Sequence, residues 1–270
     1  MAKKHFTVLG ENNNNRNKYG LCTNHQGTEE NNPEVMNALA KKMGLSDDLA
    51  FYDVYSLDEP DLLAHIPRPV YALLVIVPLT PAWKQDRETE DAALGDPATY
   101  YHGGSAGAGD QPIIWFKQTI ADACGSYGLL HCAINGATPQ FILPGSLLEQ
   151  LRNAAIPLPK DERAQMLHDS KGFEEAHQSV AGLGDTPEPA IGSGEHMGQH
   201  FVAYVKANGH LWELEGSREG PLDRGALGEE EDVLSPKALE LGLKRIIKLD
   251  LDAGGQDPRF SCIALAPRAD

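Results

Sequence analysis

The sequence predicts an α+β domain in which helices pack on a mainly antiparallel sheet. Three observations predict it. Short β-patterned runs alternate with helical ones, two of those runs flank an Asn-Gly turn, and 41% hydrophobic residues in a 270-residue chain suffice for a sizeable core.

The elements follow in chain order. Residues 10–30 are rich in Asn, Gly, Thr and Glu and nearly free of aliphatic side chains, a composition that cannot offset the entropy of ordering, so a disordered insertion is expected. Asn32 is a good N-cap, Pro33 suits a first helical turn, and Val35, Met36, Leu39, Ala40 and Met43 form an apolar stripe closed by Gly44. Phe51 to Tyr55 reads as a short strand, Asp58 to Ile66 as a short helix stopped by Pro67, and Val70 to Val77 as a strand buried on both faces. From Pro81 to Pro112 no period is evident, and a mobile excursion is expected. A helix follows from about Thr119 to Asn135, ended by Gly136, with further helices at Ser146 to Ala155 and Lys160 to His168. Gly182 to Gly198 is a Gly/Pro-rich loop. His200 to Lys206 alternates apolar and polar residues, Asn208-Gly209 is a strong hairpin signal, and His210 to Glu215 is the return strand. A helix around Lys237 to Leu249 and a strand from Phe260 to Ala266 complete the chain.

With 23 basic and 39 acidic residues the formal charge is −16, which argues against nucleic acid and anionic membranes and favours a basic partner. The longest apolar run, Val70 to Val77, is far too short to span a bilayer, and the N-terminus has no signal-peptide pattern. A soluble cytoplasmic protein, with access to the nucleus, is expected. The four cysteines, at positions 22, 124, 132 and 262, lack C-x-x-C pairing and are expected as reduced thiols.

One constellation carries chemistry. Cys124 lies between Ala123 and Gly125, small neighbours that leave its sulfur unshielded, and a helix start supplies N–H groups that favour a thiolate. A lone helical Cys is usually inert core, but Gln118 upstream offers an amide that could donate to an oxyanion formed when the sulfur attacks a carbonyl. His200 opens a strand as the candidate general base. If Asn208 and Gly209 are the loop, Ala207 faces His210, and counting back pairs His200 with Ser217. Glu215 then shares a face with His200 as its diagonal neighbour, roughly 7–8 Å away along the backbone and within side-chain reach. The arrangement is nucleophile Cys124, base His200, orienting acid Glu215 and oxyanion stabiliser Gln118. Cys124, His131 and Cys132 could suggest a metal, but their spacing does not match a zinc pattern, and neither metal nor cofactor is expected.

These residues carry a family resemblance. The segment from Gln118 to His131 resembles the active-site helix of the small ubiquitin C-terminal hydrolases. His200 to Tyr204 and Gly209 to Arg218 resemble their His-and-acid hairpin. The likeness extends through Asn32 to Asn37, Asp53 to Tyr55, Ile66 to Val70 and Arg259 to Leu265, so that it spans nearly all of residues 31–268. It implies a papain-like α/β/α sandwich with a central antiparallel sheet and a knotted backbone. It also implies a thiol protease, without cofactor, that cuts after the last glycine of ubiquitin or a related ubiquitin-like protein. The catalytic domain implied starts at residues 1–9 and resumes at residues 31–270. Residues 10–30 would be a lineage-specific insertion or translated intron. A crossover segment at about 178–198 would admit only small or unfolded leaving groups. The family usually has Asp at the position of Glu215, so the longer side chain must fold back or approach the imidazole from another angle. The rival reading is a catalytically weak ubiquitin-binding module. Ubiquitin's basic face and tail arginines suit the acidic balance, and Glu229 to Asp232 is a candidate patch, although a solvated charge run is the plainer reading.

Overall fold

The structure, a computed structural model, describes residues 4–5, 31–95, 101, 111–121, 123–180, 183, 198–255 and 260–269. The expected insertion at residues 10–30, Cys22 and nearly all of the 178–198 loop lie outside them.

The first helix forms as its pattern dictates. In α1 (Pro33–Met43) the Asn32 side chain accepts from the Glu34 N–H, Pro33 occupies the first turn, and Gly44 closes the helix at φ 101°. Its stripe of Val35, Met36, Leu39, Ala40 and Met43 is buried. The main sheet runs β2 (Leu49–Asp53), β8 (Ser261–Pro267), β3 (Ala72–Pro78), β5 (Gln199–Ala207), β6 (His210–Leu214) and β7 (Leu222–Ala226), with antiparallel neighbours throughout. β3 is buried along its whole length, as a central strand covered on both faces should be. Leu74, Ile76, Phe201, Ala203, Ile263 and Leu265 face one core, shared with α1 and with α4 (Cys124–Ile134). Leu73, Val75, Val202, Tyr204 and Ala264 face the other, shared with α8 (Pro236–Leu241) and α9 (Leu243–Asp252). Alternation along the strands thus produces the α/β/α layering.

Four expectations need correction. The segment after Pro81 is not a structureless excursion: Pro81–Leu94 is helix α3, capped by Thr80, whose hydroxyl accepts from the Trp83 N–H. Only Trp83 of this helix is buried, so it has no apolar stripe to read, and its polar face is held by ion pairs instead. The nucleophile helix begins at Cys124 and not near Thr119, because Ile120–Ala121 forms β4, paired in parallel with β1 (Lys4–His5). The helix expected at 237–249 is two helices broken at Gly242, where a side chain would press on Tyr204 Cε1 at 3.0 Å. The short helix placed at 58–66 is confined to α2 (Pro60–Leu63). The sequence pattern also passed over α7 (Lys171–Val180), which follows α5 (Leu147–Ala155) and α6 (Lys160–His168).

Candidate active site

Cys124 is the first residue of α4 and is buried. Its N-cap is Ala123, which supplies no capping side chain, so the positive end of the helix dipole is left for the sulfur beside it. Three contacts fix the course of α4 along β5. A side chain on Gly136 would strike Lys206 O at 2.4 Å, Cys132 Sγ donates to Leu73 O at 3.7 Å where Leu73 pairs with Tyr204, and Gly128 sits against Leu74 and Phe201. Each step of four helical residues, about 6 Å, is matched by about two strand residues. Gly128 and Cys132 follow Cys124 at helical intervals of four, on the same face toward the sheet. Continued at the same spacing, this course would put Cys124 near the level of His200 at the start of β5.

The hairpin forms with the expected register at its turn: Asn208 and Gly209 have φ 53° and 74°, and Ala207 pairs with His210. The ladder stops at Ala203 opposite Leu214, so the expected pairing of His200 with Ser217 does not form. Glu215 is nevertheless on the side of His200, and the two meet, His200 Nε2 lying 2.5 Å from Glu215 Oε1. The two side chains are in close polar contact, although the ring N–H is not aligned for a good hydrogen bond. Nε2 faces the carboxylate, which leaves Nδ1 as the nitrogen available to a thiol.

Glu215 is wholly buried and tightly framed. Its Oε1 also accepts from the Ser217 N–H at 2.6 Å, and its carbonyl accepts from Trp115 Nε1 at 3.0 Å. Burial pushes its carboxyl up, but His200, Arg87 and the Ser217 N–H outweigh burial and hold it down at about 2. Gln118 is tied to the same turn: its backbone N–H donates to Gly216 O at 2.7 Å, and Gly216 packs so closely that a Cβ there would lie 3.0 Å from Gln118 Cβ. The Gln118 amide donates one N–H to Ile120 O at 3.0 Å, which leaves its second N–H for an oxyanion.

The remaining sequence candidates serve the fold. His131 is buried, with Nε2 accepting from the Phe116 N–H at 3.0 Å, and burial drives its pKa down to about 3 against the pull of Glu215. Cys132 is buried in the core, where burial pushes its thiol up. In the acidic run, Asp232 binds Arg68 and the Val70 N–H, and the carbonyls of Glu229 and Glu231 bind Lys206 Nζ. Sequence reasoning missed Arg87, on α3, 3.7 Å from Glu215 Oε2, and Arg218, whose guanidinium meets Glu90 and Asp91 at 2.8 Å each. The Thr80-Pro81 helix start was the signal that could have found α3 and with it Arg87.

Comparison with known proteins gives consistent matches. Residues 28–248 match the sequence model of ubiquitin carboxyl-terminal hydrolase, family 1. Ubiquitin carboxyl-terminal hydrolase 3 of Arabidopsis thaliana is 30% identical over 240 residues, 88% of this chain and 93% of that protein. Isozyme L1 of Homo sapiens is 28% identical over 241 residues, covering 89% of this chain and 97% of its own. The crystal structure of the Trichinella spiralis UCH37 catalytic domain bound to ubiquitin vinyl methyl ester has a similar fold. Its TM-score is 0.63 at 20% identity, over 89% of this chain and 94% of that one.

Proposed function

We propose, for a chain that belongs to family 1 of the ubiquitin carboxyl-terminal hydrolases, a mechanism in which it acts as a deubiquitinating cysteine protease on the bond after the C-terminal glycine of ubiquitin. The observation that carries the reading is the buried His200–Glu215 contact, taken with Cys124 at the first turn of α4, which has no side-chain cap.

His200 takes the Cys124 proton through Nδ1, and Glu215 stabilises the imidazolium that results. The sulfur adds to the carbonyl carbon of the terminal glycine, and the oxygen takes up the negative charge. Gln118, through its second amide N–H, and the N–H groups at the start of α4 receive that charge. Collapse breaks the bond to the leaving group, which takes its proton from His200, and leaves a thioester on Cys124. A water then gives a proton to His200 and attacks the thioester, and the sulfur departs with the proton returned. Residues 178–198 would act as the size filter for small or unfolded leaving groups.

Hydrolysis of ubiquitin carrying a C-terminal fluorophore tests the reading. Turnover by the parent is expected, with Cys124→Ala reduced to background. A parent no faster than that variant, yet still binding ubiquitin, would leave a binding module in place of an enzyme.

A further inference from the structure

Glu215 holds its charge with no exposed surface, and the contacts around it use its two oxygens unequally. Oε1 meets His200 Nε2 at 2.5 Å and the Ser217 N–H at 2.6 Å. Oε2 is buried and accepts no hydrogen bond. The group that faces Oε2 is Arg87, whose Nε lies 3.7 Å away.

That guanidinium is itself held in place. Nη2 donates to Ser217 O at 2.5 Å, the Trp83 ring lies 5.4 Å beneath its central carbon, and Asp91 lies 3.8 Å from Nε. Helix α3, which carries it, is fastened to the hairpin by charges: Arg218 binds Glu90 and Asp91, while Arg224 binds Glu90 and, at 2.8 Å, Glu213. Arg87 therefore stands on a clamped element, between the acid and the turn that presents it.

We propose that Arg87 is a positioning residue for the reaction, anchoring Glu215 Oε2 so that Oε1 is the oxygen held against His200. The terminal torsion of a glutamate is broad and nearly two-fold, so a carboxylate anchored through one oxygen can exchange its oxygens or swing off the ring. Swinging here takes an anionic oxygen away from a cation inside a low-dielectric site, which disfavours it. Arg87 also joins Ser217 O to the acid, so the 215–217 turn and the carboxylate are held by one group. It acts through Glu215, and the inference rests on the cysteine-protease reading above.

A double-mutant cycle separates this role from simple support of α3. Arg87→Gln, Glu215→Gln and the double variant are compared with the parent in fluorophore release from ubiquitin, with Cys124→Ala as background. Arg87→Gln is expected to lower kcat about tenfold with KM within about twofold, the effect of a slightly misplaced catalytic group. In the Glu215→Gln background the same change is expected to have no further effect, and Arg87→Lys is expected to recover part of the lost kcat. A merely structural residue would give the same fold loss in both backgrounds. That result, or a kcat within about twofold of the parent, overturns the inference. A parent that does not exceed Cys124→Ala overturns the protease reading instead, and the positioning role with it.

Discussion

Glu215 stands one residue past the last hairpin pair, Ala203 with Leu214, and its length is used there. The side chain reaches His200 and also folds back to the Ser217 N–H. Glu215→Asp is expected to lose one of these contacts and lower kcat about tenfold, whereas Glu215→Gln, which removes the charge opposite the imidazolium, is expected to cost about a hundredfold, both read by ubiquitin–fluorophore turnover at neutral pH. The same carboxylate links the site to stability. Its folded pKa, at about 2, lies below the ordinary value of 4.5, so the unfolded chain takes up the proton first. The ionised group then adds stability, on the order of 3 kcal/mol, that is complete above the ordinary carboxyl range. That contribution fades as pH falls from 4.5 toward about 2. Urea midpoints of the parent should therefore drop more steeply than those of Glu215→Gln across that window, and parallel slopes would contradict the assignment. His200 and Glu215 were legible because a two-residue turn fixes register locally; the partner lost to the early end of the ladder, Ser217, came from extending that register too far.

Among the elements, α3 shows what patterning does not report. A helix held by an apolar stripe announces itself every third or fourth residue, but α3 buries only Trp83 and is fastened by charge. Glu90 alone meets Arg218, Arg224 and Arg245, and Glu213 beside it is buried with Arg224 and the Tyr204 hydroxyl. Removing one cation strands carboxylates in a poorly solvated place. Arg218→Met is expected to destabilise the protein by about 3 kcal/mol in chemical denaturation, far above the effect of losing a surface pair. Because the cluster is buried, moderate salt should change that difference little. A loss below about 1 kcal/mol would mean that the cluster is solvated and that α3 is secured some other way. By contrast α1 was readable nearly to the residue, since its N-cap, proline, stripe and terminal glycine are all local signals.

For the whole molecule, a formal charge of −16 sets a long-range field that attracts a basic partner. kcat/KM for ubiquitin–fluorophore is expected to fall about threefold to tenfold between about 20 mM and 300 mM NaCl through KM, with kcat nearly constant, because screening weakens encounter and not the buried His200–Glu215 contact. A flat salt profile would show that the acidic excess is only a solubilising surface. Among the described residues no helix is long and apolar enough to cross a membrane. The sequence by itself determined the α+β class, the hairpin and the shared side of His200 and Glu215, because turn chemistry, strand alternation and helix caps act between residues close in the chain. Only the tertiary structure decided that α4 starts at Cys124 and that Arg87 and Ser217 frame the acid. Those contacts join residues more than a hundred positions apart in some cases, as in the hydrogen bond from Arg87 to Ser217, and they depend on packing and charge compensation that no local pattern encodes.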